Sequence, residues 1–132
     1  MVNAKKNVLI LTDGSEGTVK MAVEIASALK GNKVLIKPAS EFKGNDILPA
    51  EAFFLGCEKP GPESFAYLED LLKHINLAGR PCGVFSSGSE RAVKYLAALI
   101  RDSDADLNPE FVFAASGVDI EKWAHNVIVK SF

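Results

Sequence analysis

A loop rich in glycine, hydroxyl and acidic side chains follows the first apolar run of the chain. The run Val8–Leu11 predicts a short strand, and an apolar-periodic helix begins directly after the loop. The free N–H groups of a helix's first turn, together with the helix dipole, favour an anion at such a place. The pattern therefore predicts a phosphate cradle, although a plain strand-to-helix turn uses the same residue types. The loop consists of Thr12, Asp13, Gly14, Ser15, Glu16, Gly17 and Thr18.

The other titratable residues form no catalytic or metal-binding pattern. Cys57 is interpreted as a small residue near the mouth of the site, and Cys82 is expected too far from it for a disulfide. His74 and His125 are interpreted as solvated, since no Cys, Asp or Glu spacing beside them supports a metal site. We therefore predict no catalytic and no metal-binding residues, and an enzymatic role stays open.

Composition narrows the class of protein. Apolar residues make up 48% and charged residues 24% of the 132 positions, which predicts one soluble globular domain over residues 1–132. The net charge of −2 gives no electrostatic basis for binding nucleic acid or an anionic membrane surface. No apolar run approaches the roughly 20 residues that span a bilayer, and the first residues lack a signal-peptide core. A cytoplasmic location is the expectation.

The order of elements predicts the fold. Continuous apolar runs at Val8–Leu11, Ala52–Leu55, Gly83–Phe85 and Phe111–Ala115 are typical of parallel strands covered on both faces. Lys33–Lys37 is flanked by lysines and followed by proline, which marks an edge strand. These runs predict an α/β fold with a doubly wound, five-stranded parallel sheet in the order 2-1-3-4-5.

Four apolar stripes with helical spacing lie between these strands. The segment 39–51 is short for a crossover and receives no assignment, and the acidic residues Asp102, Asp104 and Asp106 are interpreted as a solvated helix end. The stripes are Val19, Ala22, Val23, Ala26 and Leu29; Phe65, Leu68, Leu71, Leu72 and Ile75; Val93, Leu96, Ala97 and Ile100; and Ile120, Trp123, Ala124, Val127 and Ile128.

Three local matches carry a resemblance to a known family. They are Val8–Thr18 at the phosphate loop, Phe54-Leu55-Gly56-Cys57 at the end of the third strand, and Trp123-Ala124-His125-Asn126-Val127 in the last helix. With the order of elements, the chain resembles a short-chain flavodoxin over nearly its whole length. The resemblance implies one bound FMN, electron transfer, and a redox partner protein.

The resemblance also implies which residues hold the FMN. The backbone amides of Gly14–Thr18 would bind the phosphate, in the loop that begins with Thr12 and Asp13. The loops after the third and fourth strands would flank the flavin ring. The ring-flanking residues are Glu58, Lys59, Pro60 and Gly61, and Ser86, Ser87, Gly88 and Ser89.

The chain departs from the family pattern at several of these positions. Glu16 replaces the family's glycine, Asp13 replaces a hydroxyl residue, and neither ring loop carries the usual aromatic. A carboxylate several ångströms from a phosphate costs roughly 1–4 kcal/mol in partly screened surroundings. The alternative is therefore a flavodoxin-like domain that has lost FMN and serves as a protein-interaction or regulatory module. A phosphoacceptor receiver domain is disfavoured, because the third strand ends at Cys57-Glu58 rather than at an aspartate.

Overall fold

The computed structural model describes residues 6–130 as a parallel sheet flanked by helices. The five strands lie in the order β2-β1-β3-β4-β5, and every pairing is parallel, so the predicted fold class is confirmed. The strands are β1 Asn7–Thr12, β2 Lys33–Pro38, β3 Ala52–Gly56, β4 Pro81–Phe85 and β5 Asp106–Leu107. The helices are α1 Glu16–Ala28, α2 Gly44–Ile47, α3 Ala66–Leu72 (preceded by a 3₁₀ turn, Glu63–Phe65), α4 Glu90–Arg101 and α5 Ile120–Ile128.

Strand β1 shows why the central strands read as continuous apolar runs. Successive side chains point to opposite faces of a sheet, and both faces are covered by helices. Val8 and Ile10 pack with the residues of α1 and α5, whereas Leu9 and Leu11 pack with those of α3 and α4. Both faces are therefore fully apolar, and all four of these side chains are buried.

Strand β2 is an edge strand, as its flanking lysines predicted. It pairs with β1 alone, and Leu35 on its outer face is 45% exposed. The crossover from β2 to β3 (residues 39–51) contains a helix of only four residues, α2, which is too short to cover that face. A groove of about 420 Å³ consequently remains between β2 and the Pro49–Ala50 turn.

The predicted fifth strand, Phe111–Ala115, is wrong in its position. Strand β5 is Asp106–Leu107, and beyond it only Val112 makes a single bridge, to Phe85. Leu107 pairs with Cys82 and Val112 bridges Phe85, so four residues on this edge (108–111) face two on β4 (83–84), which makes a two-residue bulge. Pro109 within the bulge has no N–H to donate to the ladder, which interrupts the strand.

The same region corrects the interpretation of the acidic cluster. Asp106 does not lie at a solvated helix end but in β5, and its carboxylate contacts Lys130 Nζ at 2.8 Å. Asp102 and Asp104 are exposed residues after α4, as expected.

The predicted apolar stripe of α1 is partly wrong. Ala22 and Leu29 are buried as predicted, but Val19 and Val23 are 37% and 55% exposed. Thr18 and Ile25 are buried instead of these two valines. The helix is rotated so that Thr18 faces inward, where its hydroxyl meets the loop that follows β4. Hydrogen bonding at the first turn therefore decides which stripe is buried.

The second predicted helix is shorter than its apolar pattern. It is divided into a 3₁₀ turn through Phe65 and then α3, which ends at Leu72 before Ile75 is reached. Beyond this helix, Leu77 N donates to the Ser103 carbonyl at 2.7 Å. The third and fourth predicted helices are confirmed as α4 and α5. Among residues 6–130, no helix is both long enough and apolar enough to cross a bilayer.

Candidate functional site

Three loops meet at the carboxyl ends of β1, β3 and β4, as the topology predicted. We call them the cradle loop (residues 12–18), the β3 loop (57–62) and the β4 loop (86–89). Glu58 N donates to Asp13 Oδ2 at 2.8 Å, which joins the cradle loop to the β3 loop. Thr18 Oγ1 and Ser87 Oγ lie 2.9 Å apart, which joins the cradle loop to the β4 loop. The predicted site residues thus form one connected surface.

The carboxylate of Asp13 points into the cradle loop rather than into solvent. Its Oδ1 accepts from Ser15 N at 3.0 Å and from Ser15 Oγ at 2.6 Å. Its Oδ2 accepts from Glu58 N, so both oxygens are engaged. The sequence Asp-Gly-Ser could have revealed the first contact, since aspartate commonly bonds the backbone two residues on. The contact with Glu58 depends on tertiary structure.

A chain of three hydroxyl groups leads to Asp13. Ser15 Oγ lies 2.7 Å from Thr18 Oγ1, which in turn contacts Ser87 Oγ. A carboxylate only accepts and each hydroxyl has a single proton. Ser15 Oγ is the donor to both Asp13 Oδ1 and Thr18 Oγ1, so its one proton is shared between them. Either hydroxyl can donate across the contact between Thr18 and Ser87.

The first turn of α1 contains N–H groups that have no intrahelical acceptor. The N-cap residue Ser15 makes no side-chain capping bond, because its hydroxyl contacts Asp13 and Thr18 instead. The N–H groups of Glu16, Gly17 and Thr18 precede the first intrahelical donor, Val19 N, which donates to the Ser15 carbonyl. Three amides and the positive end of the helix dipole can therefore receive an anion here.

The two acidic residues of the cradle loop differ in their surroundings. The Glu16 side chain is 88% exposed, and its carboxylate lies 3.9 Å from Lys20 Nζ. Its charge is largely screened by water, whereas Asp13 is half-buried among the donors. Of the two acids that depart from the family pattern, Asp13 is the one facing the cradle.

The β3 and β4 loops touch each other at their bases. Ser86 Oγ accepts from Gly88 N at 2.9 Å and donates to the Glu58 carbonyl at 3.3 Å. A Cβ on Gly88 would collide with that same carbonyl oxygen, so this approach requires glycine. Glu58, Lys59, Pro60, Gly61 and Ser89 are exposed, and Ser89 is the N-cap of α4.

The nearest aromatic residue after the β4 loop is engaged elsewhere. Tyr95 lies within α4, as its spacing predicted, and its hydroxyl donates to Glu69 at 2.5 Å. Its ring packs against Phe65 with a centroid distance of 6.4 Å. Burial, followed by the hydrogen bond to Glu69, raises the pKa of Tyr95 above its ordinary range. Tyr95 therefore belongs to the interface between α3 and α4.

Cys57 follows β3 directly and is buried. Burial raises the pKa of its thiol to about 12, and the negative charge of Asp13 contributes a smaller part of that rise. The thiol is therefore protonated at neutral pH and weakly nucleophilic. Cys82 is also free and buried, and burial raises its pKa as well. Within residues 6–130, no cluster of three or more His, Cys, Asp or Glu side chains could hold a metal ion.

Three clefts, each of about 420–460 Å³, lie away from the cradle loop. One lies near Lys6, Arg80 and Lys130, a second is the groove beside β2, and the third borders the start of α5. None of the three is lined by residues 12–18.

Comparison with solved structures gives this protein the fold of the short-chain flavodoxins. It is similar to a short-chain flavodoxin associated with a non-canonical PDU bacterial microcompartment (TM-score 0.82, 15% identity, 98% of this chain and 100% of that chain covered). It is similar to the flavodoxin of Streptococcus pneumoniae TIGR4 (TM-score 0.79, 19% identity, 94% and 98% covered). A third is a mutant of Fusobacterium nucleatum flavodoxin bound to flavin mononucleotide (TM-score 0.72, 15% identity, 97% and 98% covered). No family model and no curated protein sequence matches the chain.

Proposed function

We propose that this protein is an electron carrier of flavodoxin type that binds one FMN across the three loops. The observation that carries the proposal is the first turn of α1, at the end of β1, whose three N–H groups have no intrahelical acceptor. In doubly wound sheets, ligands bind outside the carboxyl ends of the strands at the switch between strands 1 and 3. Three unpaired amides at that point suit a phosphate group. The Fusobacterium structure with bound flavin mononucleotide supports the same ligand class.

The proposal assigns a role to each loop. The amides of Glu16, Gly17 and Thr18 would hold the phosphate at the end of the cradle loop. The exposed residues Glu58–Gly61, together with Ser86–Ser89, of which Ser86 is buried and Ser89 is exposed, would border the ring and present it to a redox partner protein. FMN, when bound, supplies reversible electron transfer, and the protein supplies binding and electrostatics. No side chain is required as a general base or nucleophile.

Titration of the purified protein with FMN, followed by flavin fluorescence and visible absorbance, tests this proposal. Two variants separate the amide from the side chain at one position. Glu16→Pro removes an N–H at the first helical residue, where proline is tolerated, and Ser15 already has the extended backbone that precedes proline. Glu16→Ala removes the same carboxylate and keeps the N–H.

If the amides hold the phosphate, Glu16→Pro binds FMN roughly tenfold or more weakly than Glu16→Ala, since a hydrogen bond to a charged group contributes about 1.5–3 kcal/mol. Saturation at one FMN per chain is expected for the unmodified protein. The electron-carrier proposal fails if neither the protein nor Glu16→Ala binds FMN at high micromolar concentration.

A second function is favoured by the contacts between the loops. The β3 and β4 loops are joined at their bases, neither carries an aromatic residue, and Asp13 occupies donors within the cradle loop. These features suit a flavodoxin-like domain without FMN, serving as a protein-interaction or regulatory module. The same titration distinguishes the two functions, because tight FMN binding by the unmodified protein excludes the second.

A further inference from the structure

We propose that Asp13 is a specificity-determining residue that acts as an internal anion and weakens the preference for phosphorylated over unphosphorylated flavin. This inference rests on the proposed flavin-binding function. Its starting point is the inward position of the Asp13 carboxylate, which accepts from Ser15 N, Ser15 Oγ and Glu58 N at 2.6–3.0 Å. These donors lie beside the amides that would hold the phosphate.

The hydrogen bonds of the Ser15 hydroxyl strengthen the effect of Asp13. Ser15 and Thr18 have the hydroxyl groups that could donate to a phosphate in this loop. Ser15 Oγ donates to Asp13 Oδ1 at 2.6 Å and to Thr18 Oγ1 at 2.7 Å, so its one proton is engaged within the loop. The incoming phosphate therefore meets a Ser15 oxygen whose proton is already used, and it relies chiefly on the three amides of the first turn.

The charge of Asp13 acts on the phosphate and not on the rest of the flavin. FMN carries a phosphate with about two negative charges, whereas riboflavin has the same ring and sugar chain without it. Two like charges several ångströms apart in partly screened surroundings repel appreciably. FMN and riboflavin are therefore expected to bind this protein with affinities within roughly tenfold of each other, since repulsion offsets the amide contacts.

Matched variants isolate the position of the charge. Asp13→Asn removes one negative charge with little change of shape. Glu16→Gln removes one negative charge from the neighbouring side chain, which is 88% exposed. Asp13→Ser is a second variant at the same position, which restores a hydroxyl if Asp13→Asn proves unstable.

The experiment measures fluorescence titrations with FMN and with riboflavin for all four proteins. Asp13→Asn is expected to raise FMN affinity by roughly ten- to several-hundredfold and to change riboflavin affinity by less than about threefold. Glu16→Gln is expected to change either affinity by less than about threefold, because its charge is screened. The proposal is overturned if both Asp13 variants leave the ratio of FMN to riboflavin affinity unchanged or lower it.

A second readout does not depend on flavin. The melting temperature is measured with and without inorganic phosphate, and the increase is expected to be larger in Asp13→Asn than in the unmodified protein or Glu16→Gln. If no protein binds flavin, the proposed function fails, and the phosphate-dependent shift alone decides the role of Asp13. Equal shifts in Asp13→Asn and Glu16→Gln would reject that role.

Discussion

Thr18 Oγ1 and Ser87 Oγ lie 2.9 Å apart although 69 positions separate the two residues in the chain. This contact fixes the first turn of α1 against the β4 loop. Gly17 permits it, because a Cβ at that position would lie 2.9 Å from Ser87 Cβ. The arrangement of the candidate site thus depends on a hydroxyl pair that connects two distant segments.

Substitution of Thr18 by valine is expected to destabilise the protein through loss of this pair. Thr18 is fully buried, and valine keeps its shape while removing the hydroxyl that bridges Ser15 and Ser87. Loss of these hydrogen bonds should lower the free energy of unfolding by about 1–2 kcal/mol, measured by urea denaturation. Ser27→Ala, at an exposed position of the same helix, is the control and should change it by less than about 0.5 kcal/mol. Unchanged stability of Thr18→Val would show that the pair contributes nothing.

Gly83→Ala is expected to disturb the packing of α5 on the sheet. A Cβ at Gly83 would lie 2.7 Å from the Trp123 ring, 3.0 Å from Val127 Cγ2 and 3.1 Å from Phe54. Overpacking of this kind costs typically 1–3 kcal/mol, and the displaced indole should alter the Trp123 fluorescence spectrum. Gly44→Ala is the matched control, because the nearest atom to its Cβ lies at an ordinary 3.5 Å. Equal stability of the two variants would contradict the close packing at Gly83.

The stability of the protein is expected to fall in alkaline solution because of its buried thiols. Burial raises the pKa of Cys57 from its ordinary value of 9.0 to about 12. Between these values the folded state keeps a proton that the unfolded state releases. The contribution is therefore complete below about pH 9 and is lost as the pH rises toward 12, at up to about 1.4 kcal/mol per pH unit.

Urea denaturation at pH 7.5 and at pH 10 measures this effect. Cys57→Ala removes the titrating group and leaves every other ionisable side chain in place. Between the two pH values, the unmodified protein should lose about 1–2 kcal/mol more unfolding free energy than Cys57→Ala. Identical losses in the two proteins would show that the Cys57 thiol does not titrate differently on folding.

Local sequence patterns correctly predicted the strands whose burial or edge position follows from their own residue types. Apolar runs identified β1, β3 and most of β4, and lysines with a following proline placed β2 at the edge. The order of these elements then led to the correct sheet topology. The run Phe111–Ala115 led to a wrong strand prediction, because apolar content does not show whether the backbone can hydrogen-bond to a neighbouring strand. A two-residue bulge that contains Pro109 leaves a single bridge, at Val112, in this segment.

Residue type and spacing alone establish that a glycine- and hydroxyl-rich loop joins the first strand to the first helix. The directions of its side chains depend on contacts between distant segments of the chain. Asp13 turns inward because Glu58 N, 45 positions away, supplies a donor, whereas Glu16 remains in solvent beside Lys20. Thr18 is buried in place of Val19 because Ser87 arrives beside it from the β4 loop. A buried polar side chain needs a hydrogen-bond partner. Here the sheet topology brings those partners from distant parts of the chain, so a local sequence pattern cannot reveal which residues they are.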